Sequence, residues 1–420
     1  MGLLGVCAAE LIPERVLTLD DSVKLAVNNS QALLTLREDE NIAFQRVREA
    51  ESLFLPKLDL NANWNKFRVE GDRPFLLSPA MGPTIVTSSP RENFYTARAN
   101  IYQTVYQGGR VRNTWRQARI SYERARSANQ AARVEVTGSA KEAFYDLRLA
   151  QEKHRLYQEI MRQLSFYSQR SPSASIEGVR IEREWATLRE ETTQAGLAEE
   201  QARLAYLHAL NIELNTNVSL KGEFTTQPVE LDLQKMLAWA SQYRAELRET
   251  EYQEELDALG VSLSFAERTP TLGFGASYER AGHDQKLETA NWVGTLNVNV
   301  PLSVSNLFYG WAKVRERKAQ YRQATLKHAE TNDQIQLQVR QAYTRHRFWQ
   351  SELLPREREL KRAQTIAEGL RGKGFNGLER LEGERLLVRS RLSYQEAVHG
   401  HLAALSALER AVGHEVLGEL

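Results

Sequence analysis

Two glycine-rich stretches of the sequence could bind phosphate, and neither has the full pattern that such a site needs. In GLRGKG, residues 369–374, Lys373 is followed by Gly374, whereas a Walker loop has Ser or Thr there to hold Mg²⁺. In GFG, Gly273 and Gly275 lack the third glycine of a dinucleotide-binding turn. The sequence therefore predicts no nucleotide cofactor.

Histidine, serine and cysteine are the other residue types that could carry catalysis or bind a metal. His399 and His401 are two positions apart, which places them on different faces of a helix, and the other histidines are scattered. No serine or cysteine has a nearby histidine in a supporting context. We therefore predict no catalytic residue, no cofactor and no metal ligand, and a protein that is not an enzyme.

The composition is that of a folded and evenly charged chain. Of its 420 residues, 26% are charged, and the net charge of +1 gives no electrostatic basis for binding nucleic acid. Basic and acidic residues alternate finely, as they do on solvated helix faces. No stretch approaches the run of about 18 apolar residues that predicts a transmembrane helix.

The first ten residues, MGLLGVCAAE, are typical of the end of a secretory signal peptide. Cleavage after Val6-Cys7-Ala8 would make residues 1–8 a signal-peptide remnant and Ala9 the first mature residue. In a second interpretation Cys7 carries a lipid, although Val6 is a poor fit to the small residue usual before such a cysteine. Both interpretations predict export, and a single cysteine excludes a disulfide framework within the chain.

The sequence repeats itself at an offset of 214 residues, so that Leu19 falls on Leu233, without a gap across about 45 positions. This period is too long for a solenoid. We therefore predict two structural repeats, residues 9–212 and 213–420, that form a body of two similar halves.

Each repeat has the same order of predicted elements: an amphipathic stretch ended by a proline, two strands and a long helical hairpin. The predicted bounds are strands 57–67 and 94–106 with a hairpin over 109–211, and strands 271–280 and 291–302 with a hairpin over 307–413. A helix over residues 110–168 would reach about 90 Å, far more than a globular domain needs. Pro355 predicts a kink or break in the second long helix.

The four predicted strands alternate between apolar residues and small or polar ones. In TPTLGFGASYER, residues 269–280, the apolar positions are Leu272, Phe274, Ala276 and Tyr278. One interpretation is an ordinary antiparallel sheet packed on a core. The other is a membrane-spanning barrel, whose strands of about 10 residues are apolar outside and polar inside. Residues 69–91, rich in Pro, Gly and Ser, are predicted to be a loop between strands, which fits the outside face of the second interpretation. Four strands cannot close a barrel, and three chains would supply twelve.

With these features the sequence resembles a TolC-type outer membrane factor of the outer membrane efflux protein family. Such proteins are the exit ducts of bacterial efflux pumps and type I secretion systems. Four stretches carry the resemblance: residues 17–40 are similar to the entry helix, 55–64 to the first strand, 103–125 to the strand-to-helix junction and 401–413 to the closing helix.

The resemblance implies a mainly α-helical fold with a membrane β-barrel portion. In a homotrimer, four strands per chain would form a twelve-stranded β-barrel in outer membrane lipid of a Gram-negative bacterium, continued by a long α-helical barrel in the periplasm. The implied protein partners are a periplasmic adaptor (membrane fusion) protein and an inner membrane transporter. The closed periplasmic end would open by an iris-like untwisting of helix pairs.

The resemblance also implies a gate. In some family members two acidic residues, three apart, follow the glycine turn of the second hairpin and ring the closed entrance, and Glu379 and Glu382 have that spacing. They would share one helix face, so three chains would form two stacked carboxylate rings that attract cations. Ordinary solvated helix residues are the alternative interpretation. Glu182 is the corresponding candidate in the first hairpin. The predicted tip turns and adaptor contacts are Gly178, Arg371, Lys373, Gly374 and Gly377.

The function predicted from these features is that of a passive exit duct, gated at its periplasmic helical tip, for efflux or type I secretion. The alternative is a soluble periplasmic coiled-coil scaffold or adaptor protein, which the long charged helices alone would allow. The four amphipathic strands separate the two hypotheses, because a scaffold has no use for them. The sequence does not specify the exported substrate, because the transporter and the adaptor select it.

Overall fold

Two compact units make up the chain, whose structure is a computed structural model. The described residues are 15–66, 75–77, 84–86, 93–168, 176–222, 226–283, 287–301, 304–371 and 377–414. A helical unit lies within residues 1–40, 124–251 and 327–420, and a strand unit lies within residues 41–123 and 252–326.

Long helices and short strands alternate along the chain. The helices are α1 (Leu19–Asn29), α2 (Gln31–Ser52), α3 (Arg110–Ser168), α4 (Ile176–Ala209), α5 (Leu233–Tyr243), α6 (Ala245–Ala266), α7 (Val304–Leu370) and α8 (Gly377–Val412). The strands are β1 (Arg15–Leu17), β2 (Lys57–Lys66), β3 (Phe75–Leu77), β4 (Thr84–Val86), β5 (Asn93–Tyr106), β6 (Val218–Leu220), β7 (Thr271–His283) and β8 (Thr289–Asn299).

The internal repeat of the sequence is a repeat of structure. Helices α1 and α5 both have 11 residues, and α2 and α6 both have 22. Leu19 begins α1 and Leu233 begins α5, the two positions that the offset of 214 residues superimposes. The same offset relates Lys57, at the start of β2, to Thr271, at the start of β7.

The amphipathic stretch that opens each repeat is two helices, a division that its apolar pattern does not predict. Ser30 has an extended backbone between α1 and α2. Its Oγ accepts a hydrogen bond of 3.3 Å from the backbone N–H of Leu33, which satisfies a donor at the start of α2. Arg244 has the same extended conformation between α5 and α6. A side-chain cap within a continuous apolar pattern therefore divides the stretch.

Four strands form one antiparallel sheet in the strand unit, in the order β2-β5-β7-β8. The register pairs Leu60 with Ala99, Ala99 with Tyr278, and Tyr278 with Trp292, so these side chains share one face. The neighbouring row on the opposite face consists of Asn61, Arg98, Glu279 and Asn291. Most residues of the four strands thus divide into an apolar and a polar face, because successive side chains point to opposite sides. The exceptions include Lys66 and Arg280 on the apolar face and Val293 on the polar face.

Two glycines of β7 make room for an aromatic ring on β5. Tyr102 pairs with Gly275, and a Cβ at Gly275 would lie 3.6 Å from its ring. A Cβ at Gly273 would overlap the hydroxyl oxygen of the same tyrosine. The ring therefore covers the space left by two residues without side chains, which accounts for the GFG of the sequence.

The helical unit has a buried apolar cluster for each repeat. In the first, Ala26 of α1 belongs to the same cluster as Phe144 of α3. In the second, Ala240 of α5 belongs to the same cluster as Val339 of α7. Ala26 and Ala240 are superimposed by the repeat, so equivalent small residues lie in equivalent cores, where they allow helices to approach closely.

Three features differ wholly or in part from what the sequence pattern predicts. Strands β1 and β6 pair in parallel, and β3 and β4 form an antiparallel pair within residues 69–91, which the pattern assigns to a loop. Helix α7 runs through Pro355 as one helix, so the chain has no break there. Proline removes only one backbone hydrogen bond of the helix. Two residues before it, Leu353 packs into a buried cluster with Val398 of α8, which holds the helix in place.

Two buried histidines lie against each other between α7 and α8. The ring centroids of His346 and His401 are 4.9 Å apart, and His401 Nδ1 lies 3.0 Å from the hydroxyl of Thr226. His399 instead lies 2.6 Å from Asp146 of α3, so histidines two apart contact different helices.

Among the described residues, no group of three or more His, Cys, Asp or Glu could hold a metal ion. Burial lowers the pKa of both buried histidines, to about 4 for His346.

The Tyr102 contact predicts that Gly273→Ala destabilises the sheet by about 1–3 kcal/mol, because the added methyl group overlaps the tyrosine. The measurement is the denaturant midpoint of the purified protein in detergent. Gly294→Ala is the matched control, since a Cβ there meets only a ring atom of Trp292 at 3.9 Å. Adding Tyr102→Ala to Gly273→Ala should restore part of the lost stability. Equal midpoints for Gly273→Ala and Gly294→Ala would contradict the prediction.

The buried histidine pair predicts a loss of stability in mild acid. Because the pKa of His346 is about 4 in the folded state, the unfolded chain binds more protons between that value and its ordinary 6.5. The stability gained by burying the neutral ring is fully present above the pKa of the unfolded state. It is lost as the pH falls towards the pKa of the folded state. We expect the free energy of unfolding to fall by up to about 2 kcal/mol from about pH 7 to about pH 5.

Urea unfolding followed by far-ultraviolet circular dichroism measures this loss. His346→Leu should reduce the pH dependence, whereas the matched control His208→Leu, at an exposed position on α4, should leave it unchanged. A pH dependence of the same size in wild type and His346→Leu would show that the prediction is wrong.

Candidate functional site: the faces of the sheet and the helical tip

The apolar face of the four-stranded sheet is exposed. The exposed fractions of Leu60, Trp292 and Leu296 are 75%, 80% and 73%. The other large exposed side chains on this face are Leu58, Trp64, Ile101, Phe274, Tyr278 and Val298. A water-soluble protein rarely exposes an apolar patch of this size, so the face needs an apolar partner.

The opposite face carries the polar side chains and includes the better-buried ones. Arg98 of β5 and Glu279 of β7 pair directly in the register and form an ion pair, in which Arg98 Nε lies 2.6 Å from Glu279 Oε2. Glu279 and its neighbour Thr96 are buried. The sheet therefore has the reverse of the arrangement in a soluble protein, where the apolar face is the buried one.

The sheet also has two open edges. Its order leaves β2 and β8 each with one partner strand, β5 and β7 respectively. All eleven residues of β8, Thr289–Asn299, are exposed, so this strand is exposed on both faces. The backbone N–H and C=O groups along such edges are free to pair with a further strand.

Glu379 and Glu382, the candidate gate residues, both have exposed side chains near the start of α8. Leu381 lies between them in sequence and is buried in a cluster with Ile160 of α3 and Ile181 of α4. The buried leucine fixes the rotation of α8, so the two glutamates lie together on its outer side. The structure thus gives both carboxylates access to solvent.

The first hairpin contributes one predicted candidate at this end. Glu182 is exposed on α4, next to the buried Ile181. Gly178 lies in the first turn of α4, and Gly377 is the first residue of α8, so both belong to helices rather than to the connections. Lys373 and Gly374, like Cys7, lie outside the described residues.

Arg371 connects the two helices of the second hairpin. It follows the last residue of α7, and its Nε and Nη2 donate to the two carboxylate oxygens of Glu384 on α8, at 2.6 and 3.0 Å. This bidentate pair raises the pKa of Arg371. The predicted tip residue therefore closes its own hairpin, through a partner that the sequence did not identify.

Arg385 connects the two hairpins to each other, and sequence reasoning did not find it. It forms an ion pair with Glu184 of α4 and lies 3.7 Å from Glu191 of the same helix. Burial raises the pKa of Glu191. The fine alternation of charges in the sequence was the available signal, but alternation does not say which helix supplies the partner.

Further polar contacts join α8 to α3 over several helical turns. Lys141 lies 2.8 Å from Glu409, and Arg410 lies 2.7 Å from Glu142. Closer to the tip, Arg391 lies 3.5 Å from Glu152, whose pKa is lowered chiefly by its hydrogen bond to Arg155. The second helix of the second hairpin is thus linked to both helices of the first.

Within the described part of the chain, no helix is both long enough and apolar enough to cross a membrane.

Comparison with known proteins gives one family and a common fold. Residues 23–212 match the model of the family described as Outer membrane efflux protein. No curated protein matches significantly. Among solved structures, the chain is similar to the open state of the Neisseria gonorrhoeae MtrE outer membrane channel, with a TM-score of 0.77, 16% identity and coverage of 95% of this chain and 89% of that one.

Two other solved channels show the same likeness. The Campylobacter jejuni CmeC outer membrane channel gives a TM-score of 0.75, 14% identity and coverage of 94% of this chain and 86% of that one. A CusC structure, described in terms of folding and transmembrane channel formation, gives a TM-score of 0.76 at 14% identity. The match covers 94% of this chain and 92% of that one. At such low identities the likeness establishes the fold, which confirms the predicted fold class.

The sequence resemblance is also confirmed, and it agrees with the prediction that the protein is not an enzyme: residues 23–212 belong to the outer membrane efflux protein family, and the chain as a whole has the fold of outer membrane channels.

Proposed function

We propose that the protein is the outer membrane exit duct of an export system, a passive trimeric channel with its gate at the helical tip. The observation that carries this proposal is the exposed apolar face of the sheet, with the polar side chains and their ion pair on the opposite face. A wall that is apolar outside and polar inside suits a water-filled channel through lipid.

The physical argument starts from what would cover this face. Apolar surface costs about 25 cal/mol per Å² when left in water, so side chains as exposed as Trp292 and Leu296 favour a lipid environment. Within lipid, the backbone groups at the edges of β2 and β8 must also find partners. Four strands are too few to close on themselves, and three chains would place the edge of β8 beside β2 of the next chain in a twelve-stranded barrel.

A soluble periplasmic scaffold or adaptor is the alternative that long charged helices would allow. Its sheet would have to bury the apolar face against another protein element. The family match of residues 23–212 supports the duct over the scaffold, and it supports a location in the outer membrane. We place the helical unit in the periplasm, where it would meet a periplasmic adaptor protein and an inner membrane transporter.

The contacts of α8 support a gate at the tip. Arg385 holds α8 against α4, and Arg371 holds the end of α7 against α8, so the hairpins are fastened by ion pairs that can break and re-form. The MtrE structure of this fold is an open state, which supports the existence of open and closed forms. In a trimer, the exposed Glu379 and Glu382 would form two carboxylate rings at the entrance. Efflux and type I secretion both fit such a duct.

The first test is single-channel conductance. The purified protein, confirmed as an oligomer in detergent, is added to a planar lipid bilayer. We expect small, discrete, cation-selective channels, and a cation-to-anion permeability ratio at least about threefold lower in the double variant Glu379→Gln, Glu382→Gln. The control is Glu199→Gln, which removes a charge from α4 that is part of the His154 contact rather than of the tip.

The outcomes separate the parts of the proposal. Channels whose selectivity does not change in the double variant would retain the duct and remove the acidic ring. A protein that stays soluble without detergent and forms no channels would overturn the duct and favour the scaffold.

The ion pair between the hairpins gives a second test. Arg385→Gln removes the contacts with Glu184 and Glu191, which at this exposure contribute about 0.2–1 kcal/mol in each chain. If the three tips open together, the loss sums to about 0.6–3 kcal/mol, and the ratio of open to closed channels, measured from single-channel records, should rise by about threefold to about 150-fold. Arg389→Gln is the matched control, because Arg389 is an exposed arginine one turn further along α8.

An exchange of charges completes this test. Arg385→Glu with Glu184→Arg should return the open fraction towards that of the wild type. An equal rise in Arg385→Gln and Arg389→Gln would show that the loss of positive charge, and not the loss of the contact, changes the gate.

A further inference from the structure

The ion pair between Arg98 and Glu279 is the central polar feature of the sheet. Both residues lie in the row of four that also contains Asn61 of β2 and Asn291 of β8, on the polar face. The exposed fractions of the two charged side chains are 18% and 11%. A charged pair this well covered, on the face that would line water, needs an explanation beyond strand pairing.

The polar face as a whole carries balanced charge. Its charged residues in the described strands are Lys57, Asp59, Arg98 and Glu279, two of each sign. Arg98 and Glu279 are directly opposite each other on neighbouring strands, so each cancels the field of the other at short range. On β2, Asp59 is the next residue on the polar face after Asn61 of this row, and Lys57 is the one after that.

The pair also fixes which residues face the channel. Arg98 and Glu279 come from different repeats of the sequence, on the two central strands of the sheet. A slip of one residue between β5 and β7 would place one of the two charges on the apolar face. Satisfying a buried charge therefore favours the observed register over its neighbours.

We propose that Arg98 and Glu279 together determine the charge preference of the membrane segment of the duct, keeping its wall neutral so that solutes of either sign can pass. The inference rests on the proposed function, because it needs the polar face to line a water-filled channel. Three chains would bring three such pairs to one level of that channel. Removal of either partner would then leave three like charges around the lumen, where low-dielectric walls focus their field.

The test reads the local charge directly, so the narrowest part of the channel does not mask it. Ser277→Cys, in a Cys7→Ser background, places the only thiol on the polar face of β7, two residues and roughly 7 Å from Glu279. The protein in lipid vesicles is treated with a cationic and with an anionic methanethiosulfonate of similar size. The ratio of the two modification rates reports the potential at that position.

The two single variants should shift this ratio in opposite directions. Arg98→Gln should raise the cationic-to-anionic ratio by about fivefold or more, and Glu279→Gln should lower it by a similar factor. The exchanged pair, Arg98→Glu with Glu279→Arg, should give the ratio of the starting protein. A reporter that reacts in all variants with the same ratio would overturn the inference.

Two further variants keep the test decisive if the single variants do not fold. Asn291→Asp and Asn291→Lys change the net charge of the same row from an exposed strand while leaving Arg98 and Glu279 in place. They should raise and lower the ratio respectively, and an unchanged ratio in both would again overturn the inference.

A reporter on the other face distinguishes this inference from the proposed function. Ala276→Cys lies on the apolar face of β7, paired with Gly294, and should be protected from both charged reagents in lipid. Reaction at Ala276→Cys as fast as at Ser277→Cys, together with no channels in bilayers, would overturn the duct itself. Reaction at Ser277→Cys alone, without a shift of the ratio, would retain the duct and remove the role of the pair.

Discussion

The constraint on which the rest of the structure depends is the reversed polarity of the sheet. Its large apolar side chains point outward and are exposed, while its ion pair lies on the other face. A surface of this kind is stable only in contact with something as apolar as itself. Lipid meets that need, and it then requires every backbone group of the strands to be paired, which a sheet with two open edges cannot achieve alone. The proposed trimer and the membrane location would therefore be two consequences of one arrangement of side chains.

The periodic features of the fold could be predicted from the sequence. The features that depend on which residues of distant segments contact each other could not. Alternation along β7 and the offset from Leu19 to Leu233 are properties of one segment or of a direct comparison, so they are visible without coordinates. Ser30 divides a continuous apolar pattern through a single side-chain cap, which periodicity does not detect. At the tip, the glutamates Glu379 and Glu382 could be named, but the pairing of Arg385 with Glu184 depends on how two distant helices meet.

Helix α8 has a special position in the helical unit, because polar contacts link it to three other helices. It pairs with α7 through Arg371, with α4 through Arg385 and with α3 through Lys141. Most of these pairs are partly exposed, so each contributes little to stability, and the buried clusters supply the larger part. A helix held by many weak and reversible contacts can change its neighbours without unfolding, as the proposed gate would require.

The join between β5 and β7 has a consequence for the origin of the assembly. β5 ends the strand pair of the first repeat and β7 begins that of the second, so this ladder connects the two similar repeats inside a single chain. In a closed ring of three chains, the seam between β8 and the next β2 would be the same kind of junction, made between chains. The three-chain ring would then be a quasi-equivalent ring of six half-chains, in which gene fusion replaced every second subunit boundary with a covalent link.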